Sequence, residues 1–266
     1  MSSPSVSTCV IKAVGIAAPG LAGWAAAAPV LSGAAAYAAS AETPYAPALL
    51  PPNERRRATA SVKLAFRAAE DAVTGAGADA RQLASVFSSS DADMSVLHRI
   101  CAALAQTPRV ISPTDFHNSV HNAASGYWSI GVGSMAPTTT ISAHDASFTA
   151  GLLEAVALAR DRSADVLLVV YDATAPQPLA AKRPLAVTAG VAMVLGPAVS
   201  AAAGSLTLDL SGAAETPCAN PALEALRLGN PALRALPLLE LIAARRAGSM
   251  TLRGTGSSFV SLRYAP

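Results

Sequence analysis

Apolar residues spaced three and four apart alternate along this chain with short β-branched runs, so helices and strands are expected in turn. Cys9 to Ala18 alternates, starts β-branched and ends in Ala-Pro-Gly, which predicts a strand entering a turn. Residues 31–52, closing on Pro51-Pro52, read as a loop. Asn53 can cap a helix that starts at Glu54. Val62, Ala65, Phe66, Ala69 and Val73 form its apolar face, and Gly75 and Gly77 stop it. Ala84 to Phe87 is a short strand, and Asp93 to Leu104 is helical. Pro113 to Tyr127 begins as a turn and continues as a helix. Thr138 to Ser142 is a β-branched strand, and Ala146 to Arg160 a helix. Asp165 to Val170 is a continuous apolar run, which suits a strand buried on both faces. Further strands are expected at Val187–Leu195 and Ser205–Leu210, a helix at Leu233–Arg246, and a final strand pair within Met250–Tyr264. Alternation with short connections implies a layered α/β fold, with helices covering a mixed sheet.

Composition narrows the partners. The chain has 266 residues, 52% of them hydrophobic and only 14% charged. A sizeable core can form, and the small charged fraction implies that another subunit covers part of the surface. The net charge of +2 comes without a basic stripe and interleaved aromatics, so nucleic acid is not an expected partner. Arg55-Arg56-Arg57 is either a solvated first helical turn or a contact for an acidic carrier protein. Cys9, Cys101 and Cys218 have no CxxC spacing, so neither a disulfide framework nor zinc is implied, and a reducing cytoplasm fits. The Ala-rich stretch Val10–Leu50 is broken by Pro19, Gly20, Gly23, Pro29 and Gly33 and does not read as a membrane span.

The most informative stretch runs from 113 to 171. A β-branched strand passes through a very short turn straight into a helix, the geometry of a nucleophile elbow. A thiolate held there, at a helix N-terminus, has a depressed pKa and can attack a thioester. The turn here reads Ser142-Ala143-His144-Asp145-Ala146-Ser147 and contains no cysteine.

Several motifs in order resemble the β-ketoacyl synthase and thiolase superfamily. Val10-Ile-Lys-Ala-Val-Gly-Ile16 is similar to its opening strand. His121-Asn122-Ala123-Ala124-Ser125-Gly126 resembles its Asn-x-Ala-x-Gly helix, and Ala136-Pro137-Thr138 its Gly-Pro-x-x-Thr-Val. Arg253-Gly-Thr-Gly-Ser-Ser-Phe-Val260 looks like its last glycine turn and strand. The resemblance implies a thiolase-like fold with a cut-down C-terminal half: one domain over 1–266, with 1–197 as the ketosynthase-like half and 198–266 as the reduced half. It places Asp145, or its neighbour His144, where the family carries its cysteine. The family's downstream histidines have no counterpart, since no histidine follows His144.

The chain most resembles the small ketosynthase-like proteins of aryl polyene and related fatty-acid-type pathways, which look like chain length factors. That implies a non-catalytic subunit with no cofactor or metal. Its partner would be a catalytic β-ketoacyl synthase, with an acyl carrier protein nearby. In the family the strand and turn near the nucleophile lie at the dimer interface. Residues 113–148 would therefore meet the partner, with Phe116, Tyr127, Trp128 and Phe148 closing its acyl tunnel and His117, His121 and Asn122 beside them. Two alternatives stay open: a hydrolase or acyltransferase using His144, Asp145 and a serine, and a purely structural stabilising subunit. His117 and His121, four apart, would share a helix face, but nothing nearby completes a metal site.

Overall fold

The computed structural model describes residues 7–40, 45–198 and 204–266. Strand β1 (Ser7–Ala18) turns at Pro19–Gly20 into the two-residue β2 (Leu21–Ala22), followed by helix α1 (Trp24–Leu31). The loop expected over 31–52 follows α1; its residues 41–44 lie outside the described residues. Then come α2 (Pro52–Arg57), α3 (Ala60–Ala76), β3 (Ala84–Ser88), α4 (Met94–Leu104), α5 (Pro113–Asn118) and α6 (Ala123–Val132). Strand β4 (Thr138–Ile141) leads into α7 (Ser147–Arg162), β5 (Val166–Asp172), β6 (Ala189–Pro197) and β7 (Ser205–Asp209). Helices α8 (Pro221–Gly229) and α9 (Leu236–Ala243) precede the hairpin β8 (Gly248–Arg253) and β9 (Phe259–Ala265).

The strands form one sheet in the order β4-β3-β5-β6-β1-β7-β9-β8, with β2 against the end of β1. β3 runs parallel to β4 and β5, and the other neighbours are antiparallel. Strand β5 is buried throughout, and its pleat sends alternate residues to opposite faces. Leu167, Val169 and Tyr171 join a core with Phe66 of α3 and Trp128 of α6. Val166, Leu168 and Val170 join the larger core with Phe148 and Leu152 of α7 and the leucines of α9. The layered fold with a mixed sheet follows from that two-sided burial.

Local details depart from the sequence reading for identifiable reasons. Asn53 is not a cap: α2 begins one residue earlier, at Pro52, and ends at Arg57. Ala58 is extended, and Thr59 caps α3 by accepting from the Val62 N–H at 3.3 Å. The expected helix is therefore two. The run after Pro113 is also two helices, broken at 119–122, so His117 and His121 do not share a helix face. Leu233–Arg246 starts inside a 3₁₀ turn, Pro231–Ala235, before α9. Helix α1 is apolar nearly all round and has too weak a rhythm to be read from sequence, whereas α8 buries Leu223 and Leu226 on one face and is absent from the expected elements.

Helix α3 lies close on β1. A Cβ at Gly15 would collide with the Ala68 carbonyl oxygen. Asp71 Oδ2 on α3 accepts from the Ile16 N–H at 3.1 Å and from the Trp24 N–H at 2.7 Å. It thereby caps α1, whose preceding residue Gly23 offers no side chain to do so. Among the described residues no helix is long and apolar enough to cross a membrane.

Candidate functional site

Strand β4 enters α7 through residues 142–146. Within that turn His144 has φ 51°, in the left-handed region that a bulky side chain rarely adopts. The strained residue of the elbow is thus His144, with Asp145 one step on in a single 3₁₀ turn. The turn is fixed from inside. Ser147 Oγ donates to the His144 carbonyl at 2.7 Å and accepts from the Ala143 N–H at 3.1 Å. Ser142 Oγ donates to the Ser90 carbonyl at 3.0 Å. Ser147 is fully buried, so its hydroxyl locks the turn and offers no nucleophile to His144. The imidazole Nδ1 lies 3.7 Å from Asp145 Oδ1, beyond hydrogen-bond reach.

Asp145 is held instead by Arg183, whose Nη1 donates to Oδ1 at 2.7 Å. Burial pushes the Asp145 carboxyl up, but the Arg183 hydrogen bond and charge outweigh it and leave it below its ordinary value. The same guanidinium donates through Nε to Asp91 Oδ2 at 2.7 Å, joining the elbow to the loop after β3. Beneath this lies Asp172 at the end of β5. Its Oδ1 accepts from the Ser90 N–H at 2.7 Å, Ser90 Oγ at 2.8 Å and Ser89 Oγ at 2.9 Å. Burial nevertheless pushes this carboxyl up to about 7, and Oδ2 is buried without a partner. Asn230 Nδ2 bonds the carbonyls of Asp172 and Val187 at 2.9 and 2.8 Å, closing the layer.

A cavity of about 540 Å³ opens in front of the elbow, lined by His144, Asp145, Glu215, Arg234, Arg253 and the Gly254–Gly256 turn. No thiol lines it. Cys9 is buried in the core, where desolvation pushes its thiol up to about 12. Cys218 is buried and Cys101 exposed on α4. Among the described residues no group of three His, Cys, Asp or Glu side chains could hold a metal ion. Sequence reading missed Asp91, Asp172, Arg183 and Arg234. None sits in a recognisable motif, and all lie far from the elbow along the chain. Arg183 bonds Asp145, Arg234 lines the cavity, and Asp91 and Asp172 are joined to the elbow through Arg183 and Ser90.

The remaining expected residues lie to one side, around β4 and α5–α6. Among the described residues β4 pairs only with β3 and forms the end of the sheet. Its odd-numbered residues bond β3, as in Ser85 N–H to the Pro137 carbonyl and Ser89 N–H to the Ile141 carbonyl. The backbone groups of Thr138 and Thr140 therefore face outward. A groove of about 420 Å³ beside α5 and α6 is lined by Phe116, His117, Val120, Asn122, Tyr127 and Ile130. Phe116 is 69% exposed, Ile130 56% and Val120 51%. His117 meets the Tyr127 ring edge-on at 5.9 Å. His121 Nε2 is buried without a partner. Trp128 packs edge-on against Phe66 at 5.1 Å, and Phe148 is fully buried on the opposite face of the sheet. These two aromatics belong to the chain's own cores. Of the four expected to reach a partner, Phe116 alone presents most of its ring outward, and Tyr127 only lines the groove.

A family model described as "Beta-ketoacyl synthase, N-terminal domain" matches residues 26–251. The chain belongs to the β-ketoacyl synthase family. In three dimensions this ketosynthase-family chain is similar to a chain of the ketosynthase ApeO in complex with its chain length factor ApeC from Xenorhabdus doucetiae. The TM-score is 0.71 at 21% identity, over 97% of this chain and 99% of the other. It is similar, too, to a chain of the ishigamide ketosynthase/chain length factor, with TM-score 0.71 at 14% identity and the same coverage. A chain of the AntDE:AntF complex, a type II polyketide acyl-carrier protein with its ketosynthase bound to the hexaketide, gives TM-score 0.69 at 12% identity. That match covers 98% of this chain and 99% of the other. Identities this low establish a shared fold, and the coverage makes each matched chain nearly equal in length to this one. Compared by sequence with curated proteins, the chain has no significant match.

Proposed function

We propose that this ketosynthase-family chain is a non-catalytic subunit of chain length factor type, which pairs with a catalytic β-ketoacyl synthase and shapes its acyl tunnel. The observation that carries the reading is the free edge of β4, which leads directly into an elbow without a thiol and lies beside an exposed apolar groove. An open edge is a template for another chain's strand, and exposed apolar patches mark interaction sites. A partner strand added at Thr138–Thr140 would bury Phe116, Val120 and Ile130, with His117 and Asn122 at the polar margin. His121 and Tyr127 would support that face from beneath. Trp128 and Phe148 would act on the tunnel only by fixing the backbone around it.

The missing thiol supports the other half of the reading. A carboxylate at the elbow cannot carry a growing acyl chain, because an acyl-aspartate is a mixed anhydride open to rapid hydrolysis. The covalent step would belong to the partner, and an acyl carrier protein would deliver substrate to the pair. The motif resemblance and the shared fold with the ApeO–ApeC complex favour aryl polyene or a related fatty-acid-type pathway. The pair would work in the cytoplasm, where the three unpaired cysteines stay reduced.

The test is co-purification of the tagged chain with a co-expressed catalytic ketosynthase. Thr140→Pro removes an outward N–H, which an edge strand tolerates, so the isolated fold should persist. Recovery of the partner should collapse with Thr140→Pro and with Ile130→Asp, while circular dichroism of each variant is retained. Full recovery with both would refute the pairing surface. An acyl adduct on the isolated chain, seen by mass spectrometry after exposure to acyl carrier substrate, would refute the non-catalytic role.

A further inference from the structure

Arg234 is a guanidinium short of partners. Only 14% of its side chain is exposed. Yet it donates no hydrogen bond to any described residue, and its Nε is buried without a partner. Its single ion pair among the described residues is with Glu215 Oε2, at a long 3.9 Å. Glu215 is shared with Arg227 at 3.5 Å, while Arg227 is itself held by Glu224 at 2.7 Å. Burying a guanidinium without hydrogen bonds is costly, so a native fold that does so lacks an acceptor. Burial accordingly pulls Arg234 below the ordinary arginine value.

Arg253 stands on the same cavity, exposed at the end of β8, with no ion pair among the described residues. Its backbone carbonyl accepts from Thr149 Oγ1 at 2.7 Å, which fixes the strand end that carries it. The two carboxylates lining the cavity are already engaged, Asp145 by Arg183 and Glu215 by its two arginines. The His144–Ala146 turn before α7 lines the cavity too, so the positive end of a 16-residue helix dipole adds to the field. Two cations, a helix start and about 540 Å³ of space are arranged around a missing acceptor.

We propose that this cavity binds the anionic head of a small molecule, a carboxylate or a phosphate, between Arg234 and Arg253 with the His144 imidazole beside it. An arginine fork suits either head group, since both present paired oxygens to its planar donors. The volume leaves room for the body of the molecule behind the head. This binding does not depend on the pairing role, and it gives the elbow of a chain without a nucleophile a ligand of its own.

The experiment titrates the full chain with inorganic phosphate and, separately, with malonate, at low salt by calorimetry. Saturable binding at one site per chain is expected for at least one probe, and the tighter probe identifies the head group. Arg253→Gln should weaken it at least about tenfold, the loss expected for one charge-assisted contact. Arg160→Gln, at an exposed arginine on the far end of α7, should leave it unchanged. Arg234→Gln should abolish binding; if that variant fails to fold, Arg253→Gln decides. Absence of saturable binding for both probes, or equal binding by wild type and Arg253→Gln, overturns the proposal.

Discussion

Replacing Asp172 by Asn tests the buried layer under the elbow. Three donor groups meet at Oδ1, one of them the Ser90 hydroxyl whose single proton also faces Asp91 Oδ2, and an asparagine oxygen can accept from the other two through its two lone pairs. The other oxygen, already without a partner, becomes an amide nitrogen. What changes is the titration. The carboxyl ionises near 3.8 in an unfolded chain and, pushed up by burial, at about 7 in the fold. Between those values the folded chain holds a proton that the unfolded chain has released, so this group's contribution to stability falls as pH rises. At 1.36 kcal/mol per pH unit, the full penalty above pH 7 is ~4 kcal/mol, of which about 2–3 kcal/mol accrues between pH 5 and pH 8. Urea unfolding of both proteins at the two pH values reads it directly. The variant should gain on the wild type by about 2–3 kcal/mol on going from pH 5 to pH 8. A difference that stays constant within about 0.5 kcal/mol would show that the cost of burial is not borne by Asp172.

Other substitutions probe the rest of the frame. Phe148→Ala, in the core under α7, should lower stability by about 3–5 kcal/mol in denaturant melts. His144→Gly should raise stability by about 1 kcal/mol by releasing the left-handed strain, leaving co-purification with the partner intact. Gly15→Ala should destabilise the chain, since its methyl group would meet the Ala68 carbonyl, and a calorimetric melt should show a lowered midpoint. In the reconstituted pair, Phe116→Ala should lengthen the acyl product seen by mass spectrometry; unchanged length would remove Phe116 from the tunnel.

The sequence made the elements around the elbow legible because their signals are local. Thr138 to Ser142 is β-branched, the turn is short, and Asp165 to Val170 is apolar without a break, as a strand between two helical layers must be. The break at Thr59 was hidden because the charged run Glu54–Arg57 carries no apolar spacing to mark a boundary, and the break at 119–122 because Phe116, Val120, Ala124 and Tyr127 keep helical spacing across it. The aromatics show the limit of residue type as a guide. Trp128 and Phe116 look alike as tunnel residues, yet one fills the chain's own core and the other stands in solvent. Burial depends on the face each helix turns to the sheet, and that is set by packing. The arginines at the elbow were invisible for a different reason: Arg183 and Arg234 lie 38 and 89 positions after Asp145, and only the fold brings them together.

The sheet also constrains how the chain is made. Among the described residues, apart from the two of β2, β1 draws its strand partners from β6 and β7, which begin at Ala189 and Ser205. During synthesis at about 5–20 residues per second, the first strand would wait roughly ten to forty seconds for the backbone that completes it. Through that interval its apolar side chains have α3 to lie on, with Asp71 holding the Ile16 amide. Variants that loosen α3 should therefore harm yield in cells more than they lower the melting point of protein that has already folded.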